Sequence, residues 1–274
     1  MTVRLIASDL DGTIIREDGS ISVRTIEAFH RARERGISIV FVTGRPFRWL
    51  APVREAFGHL GTVICSNGAV LYDLEQEKLI WAQTIDVDIL QRTREIITKA
   101  EPTATFAAET TSGLHLEEGF AEPHELELIS RFERLDLRST LLNEQGVVKF
   151  LAKSRTRSSD DFLAAVADDL ASLVTVTHSA QNVSLLEMAH AKINKSVALA
   201  NYARDLGIDS SEVAAFGDMP NDQEMLAWAG YGYAMASGHR TALDAATFKA
   251  PGVEDDGVAQ IIENILDSSE PPVS

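Results

Sequence analysis

The sequence predicts an α/β protein: a doubly wound, mainly parallel sheet core whose chain is interrupted by an α+β insertion. Three observations predict it. In the first and last thirds of the 274 residues, short apolar runs rich in Val and Ile alternate with helix-length stretches, the β-α-β order of a parallel sheet covered on both faces. Residues 84–186 change texture, to short alternating runs around two amphipathic stretches, as in an antiparallel sheet backed by helices. Acidic residues stand immediately after apolar runs, at the edge where open α/β sheets gather their ligands. The boundaries read as 1–83 and 187–274 for the core and 84–186 for the insertion.

The first run, residues 3–8, is mostly apolar until it stops at Asp9, and reads as a buried strand. Ser22 is placed to cap a helix with Ile26, Phe29 and Ala32 on one face, ended by Gly36. Residues 37–42, ISIVFV, are continuous and β-branched, as in a strand buried on both faces. Residues 47–57 suit a helix broken or kinked at Pro52. A third strand at 63–65 leads into the Asn67-Gly68 turn, and 69–72 with 78–83 read as a hairpin. In the insertion, helices are expected at 87–99 and 160–170, and strands at 103–108, 114–116, 147–152, 174–178 and 183–186. The last third resumes the alternation: Asn194 caps a helix over 195–206 closed by Gly207. A strand at 213–216, a short helix at 221–227, a strand at 231–235 and a helix at 258–266 follow. Residues 268–274 are polar and Pro-rich, as in a frayed tail.

Composition narrows the function. Lys and Arg number 25 against 41 Asp and Glu, a net charge of −16, which repels phosphate backbones and anionic lipid and disfavours nucleic-acid or membrane partners. The single cysteine, Cys65, cannot form an internal disulfide and fits a reducing compartment. No apolar run reaches membrane-spanning length, and acids from Asp9 onward exclude a signal-peptide core. A cytoplasmic protein is the expectation.

Two acidic motifs carry the chemistry. Asp9-Leu10-Asp11-Gly12-Thr13 follows the first strand, and carboxylates at i and i+2 leave a strand on one side. Gly217-Asp218-Met219-Pro220-Asn221-Asp222 follows another. If both strands are central, Asp9, Asp11, Asp218 and Asp222 crowd together, and a divalent cation is the simplest relief of their repulsion. Oxygen ligands without His or Cys favour Mg²⁺ over zinc. Taken singly, each piece suits a plainer role: a solvated turn for the DxD, a helix cap for Asp218, an exposed helix position for Lys195. Their joint order along one α/β pattern is what points to a site.

Here the sequence resembles the haloacid-dehalogenase-like phosphatases, and among them the Cof-type branch with a large inserted cap. The resemblance rests on Asp9-Leu10-Asp11-Gly12-Thr13, Thr43-Gly44-Arg45-Pro46, Ser66-Asn67-Gly68-Ala69, Ile193-Asn194-Lys195 and Gly217 to Asp222, in the family order along the whole chain. It departs from the family at Tyr233 to Ser237 and at Ala189 to Lys192, which leaves Lys192 as a rival to Lys195. The resemblance implies a Mg²⁺-dependent phosphatase acting on a small phosphorylated metabolite through an aspartyl-phosphate. By it, Asp9 is the nucleophile, Asp11 the acid and then the base, and Lys195 the catalytic cation. Thr43, Gly44, Lys195 and Asn221 hold the phosphoryl group. Asp9, Asp218 and the Asp11 carbonyl hold the metal, with Asp222 acting through water. The insertion stands where the family's cap lies over the site, with Glu109, His115, Glu117 and Lys149 expected to be surface residues more than substrate contacts. Two alternatives use the same residues: a sugar phosphomutase, and a regulator that binds a phosphometabolite without turnover.

Overall fold

The computed structural model describes residues 2–58, 61–121, 134–136 (backbone), 146–179 and 183–268; the tail expected at 268–274 lies, beyond Ser268, outside them. The chain divides into two compact units, residues 1–81 with 195–274, and residues 82–194. Among the described residues, no helix is long and apolar enough to cross a membrane.

The first unit is built on strands β1 (Leu5–Ser8), β2 (Ser38–Val42), β3 (Thr62–Cys65), β4 (Val70–Asp73), β5 (Lys78–Ala82), β12 (Val213–Gly217), β13 (Tyr231–Met235) and β14 (Phe248–Ala250). They form one sheet in the order β14-β13-β12-β1-β2-β3-β4-β5. From β14 to β3 neighbouring strands are parallel, and β4 turns back antiparallel on β3. Alternate residues of the central strands feed two hydrophobic layers. On one face Leu5, Ala7, Val40, Val42, Val213 and Ala215 pack with Leu199 and Ala203 of α5 (Lys195–Asp205), Met225 and Leu226 of α6 (Gln223–Trp228), and Ala242 of α7 (Arg240–Ala245). On the other, Phe41 meets Phe29 of α1 (Val23–Glu34) and Phe57 of α2 (Ala51–Phe57), with ring centroids 4.8–5.4 Å apart. All three rings are buried, and each contributes roughly 1.5–3 kcal/mol by leaving water. Helix α8 (Gly257–Ser268) packs on α1.

Ser22 caps α1, its hydroxyl accepting the Thr25 N–H at 3.0 Å. The helix expected over 47–57 is divided at Leu50, not at Pro52: a 3₁₀ turn spans Phe47–Trp49, and Pro52 lies in the first turn of α2, where its missing N–H costs nothing. Strand β14 and helix α7 add to the expected elements; at three and six residues they are too short to leave a periodic pattern.

The second unit holds a six-stranded sheet in the order β10-β11-β9-β6-β7-β8, from β6 (Thr105–Thr110), β7 (Leu114–Leu116), β8 (Arg134–Asp136), β9 (Val147–Lys153), β10 (Val174–Thr177) and β11 (Leu185–His190). Every pair is antiparallel except β7 with β8. Helices α3 (Val87–Ala100) and α4 (Ser159–Leu170) bury Leu90, Ile97, Phe162, Val166 and Leu170 against Phe106, Phe150, Leu186 and Met188 of one sheet face. The boundary expected at 186 falls instead at 194. β11 extends to His190 and pairs with both β9 and β10, which keeps that stretch in the insertion's sheet.

The end of α3 is tied to the start of α4 by one carboxylate. Glu101 is buried and accepts from Thr103 Oγ1 at 2.5 Å, Thr156 Oγ1 at 2.6 Å, Ser154 Oγ at 3.2 Å and Arg157 Nε at 3.2 Å. The hydroxyls of Thr103 and Thr156, helped by Ser154 and Arg157, hold its carboxyl down at about 2 against the burial that opposes ionisation. A carboxyl with a lowered folded pKa stabilises above its unfolded value and loses that contribution as pH falls toward the folded one. Glu101→Gln should therefore lower the thermal midpoint at neutral pH. Its deficit relative to wild type should shrink as pH falls from 4.5 toward about 2, followed by circular dichroism. A deficit independent of pH would show that the carboxylate charge is not what this node uses.

Candidate active site

Four adjacent parallel strands, β12, β1, β2 and β3, end at one edge of the sheet, and each delivers a motif there. Asp9 follows β1, Thr43 follows β2, Ser66 and Asn67 follow β3, and Asp218 follows β12. The chain leaves β1 toward β2 on one side while β12 returns on the other, the point at which doubly wound sheets open a crevice. The Asp9 N–H donates to Phe216 O at 2.9 Å, fixing the first acid against β12.

Lys195, at the first turn of α5, lies 1% exposed between two of the acids. Its Nζ donates to Asp9 Oδ1 and to Asp222 Oδ1, both at 2.6 Å. Asp222 is completely buried, and its other oxygen, Oδ2, accepts the N–H groups of Asp218 and Met219, each at 3.0 Å. One carboxylate thus shapes the Asp218 loop and seats the lysine. Asp218 accepts from Thr13 Oγ1 at 3.2 Å. Two motif glycines make room for the acids. A Cβ on Gly12, whose φ is +74°, would meet Asp218 Oδ2 at 2.3 Å, and one on Gly217 would meet Asp222 Cγ at 2.4 Å. Lys192, the rival lysine, is exposed.

Burial sets the electrostatics. It raises the Asp9 carboxyl to about 7, the Lys195 charge opposing and the charges of Asp222 and Asp11 reinforcing it. Asp218 is pushed well above the usual carboxylate range by burial and then by the charges of Asp9 and Asp222. Burial works against the Lys195 ammonium too, but Asp222 and Asp9 outweigh it and hold the lysine charged. One cation is therefore shared among three buried acids, and oxygen atoms of Asp9, Asp218 and Asp222 lie within 4.8 Å of one another. Hard, oxygen-only donors with unbalanced negative charge fit a divalent cation.

The structure does not bring the fourth acid into this cluster. The Asp11 side chain is 57% exposed and clasped by Arg45, with Nε to Oδ2 at 2.8 Å and Nη2 to Oδ1 at 2.6 Å. The planar fork of the guanidinium draws the carboxylate outward. Thr43 is buried, and its Oγ1 accepts the Arg45 N–H at 3.0 Å, which curls the Thr43-Gly44-Arg45 loop. Asn221 is buried and donates from Nδ2 to Asn67 Oδ1 at 3.0 Å. Arg45 and Asn67 stand in the motifs, but sequence reasoning assigns them no role. The signal for Arg45 is its place two residues beyond Thr43, at the same strand end as the acids.

In the second unit, Glu109, His115 and Lys149 are buried, not at the surface as expected. Glu109 faces Lys149 across β6 and β9, and Lys149 Nζ lies 3.5 Å from Glu187 Oε2 on β11, so opposite charges accompany one another into the sheet. Glu117 ion-pairs with Arg94 of α3 and accepts the Phe106 N–H at 3.0 Å.

Residues 6–262 match the haloacid dehalogenase-like hydrolase family. The chain is 24% identical over 269 residues to the 5-amino-6-(5-phospho-D-ribitylamino)uracil phosphatase YitU of Bacillus subtilis, covering 94% of this chain and 96% of that one. It is 26% identical over 252 residues to the HMP-PP phosphatase of Yersinia pseudotuberculosis, covering 85% and 84%. The fold superposes on SMU.1108c from Streptococcus mutans with a TM-score of 0.83 at 24% identity, over 97% of this chain and 100% of that one. The chain belongs to the haloacid dehalogenase-like hydrolases, in the Cof-type branch whose α/β core carries an inserted cap. With that family it is a phosphoric monoester hydrolase.

The raised Asp9 carboxyl makes cation binding and protonation compete. A group with a raised folded pKa costs the metal-free fold stability as pH climbs from 3.8 to about 7, and a cation relieves that cost. Saturating Mg²⁺ should therefore raise the thermal midpoint more at about pH 8 than at about pH 5, measured by differential scanning fluorimetry. Equal shifts at both values would contradict the assignment of Asp9 to the cation site.

Proposed function

We propose that this phosphatase hydrolyses a small phosphorylated metabolite (a sugar phosphate, a nucleotide or a phosphorylated cofactor) with Mg²⁺, through an aspartyl-phosphate on Asp9. The observation that carries this reading is the buried Asp9–Lys195–Asp222 chain beside Asp218 at the ends of β1 and β12. The names of the two relatives make 5-amino-6-(5-phospho-D-ribitylamino)uracil and HMP-PP the substrates to try first. A reducing cytoplasm is the compartment this reading assigns, in keeping with one buried, unbridged cysteine.

Lys195 fixes which Asp9 oxygen reacts. With Oδ1 held by the ammonium, Oδ2 is left to attack phosphorus. As the new Oδ2–P bond forms, the bond to the leaving oxygen breaks, and Asp11 gives that oxygen its proton. Asp11 then takes a proton from water as the water attacks phosphorus, which breaks the Oδ2–P bond, releases inorganic phosphate and restores Asp9. To do so Asp11 exchanges its pairing with Arg45 for the reacting oxygens in each turnover, and its rotatable, exposed side chain leaves that exchange open. Thr43, the Gly44 backbone, Lys195 and Asn221 hold the phosphoryl oxygens. Asp9, Asp218 and the Asp11 carbonyl would hold Mg²⁺, with Asp222 reaching it through water. The bound ion supplies positive charge that offsets repulsion between the nucleophile and a phosphate dianion.

Purified protein should hydrolyse p-nitrophenyl phosphate with Mg²⁺ and lose that activity to chelator. Asp9→Asn should abolish turnover, and acid-quenched wild type should carry one phosphoryl group on the peptide containing Asp9, read by mass spectrometry. Turnover surviving in Asp9→Asn would refute the nucleophile. Asp11→Asn should lose most turnover while still binding Mg²⁺, and an unchanged rate would remove Asp11 from proton transfer.

A further inference from the structure

The turn after β3 departs from ordinary backbone at two successive residues. Ser66 and Asn67 are consecutive non-glycine residues with left-handed backbone, φ 50° and 56°. Side chains rarely adopt that region, Asn among the more tolerant, and such residues persist where surrounding structure fixes them. Here the fixing bonds are in view. The Ser66 N–H donates to Arg45 O and the Asn67 N–H to Thr43 O, both at 3.0 Å, so the turn is fastened to the loop that carries Thr43 and Gly44. From that turn Asn67, itself 5% exposed, offers Oδ1 to the Nδ2 of Asn221 at 3.0 Å. One residue thus ties the loop after β2, through its backbone N–H, to the loop after β12, through its side chain, with the strand that bears Asp9 between them.

A carboxamide has two N–H donors on one edge and an acceptor oxygen on the other. At Asn221 one N–H is committed to Asn67. The opposite atom, Oδ1, is buried and has no hydrogen-bond partner among the described residues. Leaving a buried acceptor unpaired is unfavourable, so Oδ1 calls for a donor such as a water molecule, and the amide's second N–H is the edge that suits an acceptor. Without Asn67 Oδ1 to receive its N–H, the amide could turn over and exchange its donor edge for its acceptor edge. An acceptor facing a phosphoryl oxygen repels it.

We propose that Asn67 is a positioning residue of this phosphatase. It fixes the face of the Asn221 carboxamide, so that the second N–H of Nδ2 is presented to a phosphoryl oxygen and Oδ1 to a water molecule. The inference rests on the phosphatase reading above and adds a residue to it. Serine at 66 bears the same strained backbone to place the asparagine at 67.

The test is a double-mutant cycle on Asn67→Gly, Asn221→Ala and the pair. Glycine suits the left-handed backbone, so Asn67→Gly deletes the acceptor without straining the turn; Asn67→Ala deletes the same group if the glycine variant does not fold. The readouts are the dissociation constant for inorganic phosphate with Mg²⁺, by isothermal titration calorimetry, and kcat and KM for p-nitrophenyl phosphate. Asn67→Gly should weaken phosphate binding by about 10-fold or more, as loss of an orienting partner does at comparable sites. The double variant should be no worse than Asn221→Ala within about 2-fold, because Asn67 acts only through Asn221. Phosphate binding at wild-type strength in Asn67→Gly, or losses that multiply in the pair, would overturn the proposal. A wild type that neither binds phosphate nor hydrolyses the ester would instead overturn the phosphatase reading on which it rests.

Discussion

The site depends on one ammonium group kept out of water. Lys195 is buried between Asp9 and Asp222, and among the described residues no second cation pairs with either carboxylate. Burying three acids at one sheet edge is costly unless their charge is answered, and a lysine at hydrogen-bond distance from two of them answers part of it. The rest of the geometry follows. Asp222 can spend its second oxygen on the Asp218 and Met219 amides because Lys195 occupies the first. That holds the loop on which Asp218 and Asn221 sit. The surplus of negative charge that remains is what suits the site to a divalent cation.

This local arrangement gives the acidity of the whole chain a different meaning. A net charge of −16 is unfavourable for drawing in a phosphate ester. The positive groups are placed where the ester would react: Lys195 inside, Arg45 at the exposed rim on Asp11. A buried cation at the sheet edge is a local attraction within a chain whose net charge opposes anions.

Much of the fold is legible because the core strands are short, apolar and continuous, and such runs are hard to place anywhere but inside a sheet. Asp9 and Asp218 are legible for the same reason: carboxylates directly after buried strands must lie at its edge. What cannot be read depends on partners distant in sequence. The expected end of β11 at 186 is too early because Glu187 and His190 look like the start of a loop, yet Glu187 is buried with its carboxylate 3.5 Å from the Lys149 ammonium. Glu109, His115 and Lys149 read as surface residues by their chemistry, and only cross-strand register reveals that they are buried. Asp11 is expected among the other acids, but a bidentate arginine outcompetes a crowded acidic pocket for it. The bond from Asn221 to Asn67 joins residues 154 positions apart, which no local pattern announces.

The most direct test of the account removes the buried charge and leaves the side-chain length. Lys195→Met should leave Asp9 and Asp222 buried without their shared partner. Its unfolding free energy, from urea titration, should fall by roughly 3–5 kcal/mol, as when one member of a buried ion pair is deleted. Hydrolysis of p-nitrophenyl phosphate by the folded fraction should fall to background. A Lys195→Met protein that keeps wild-type stability and turnover would contradict the claim that this ammonium organises the site.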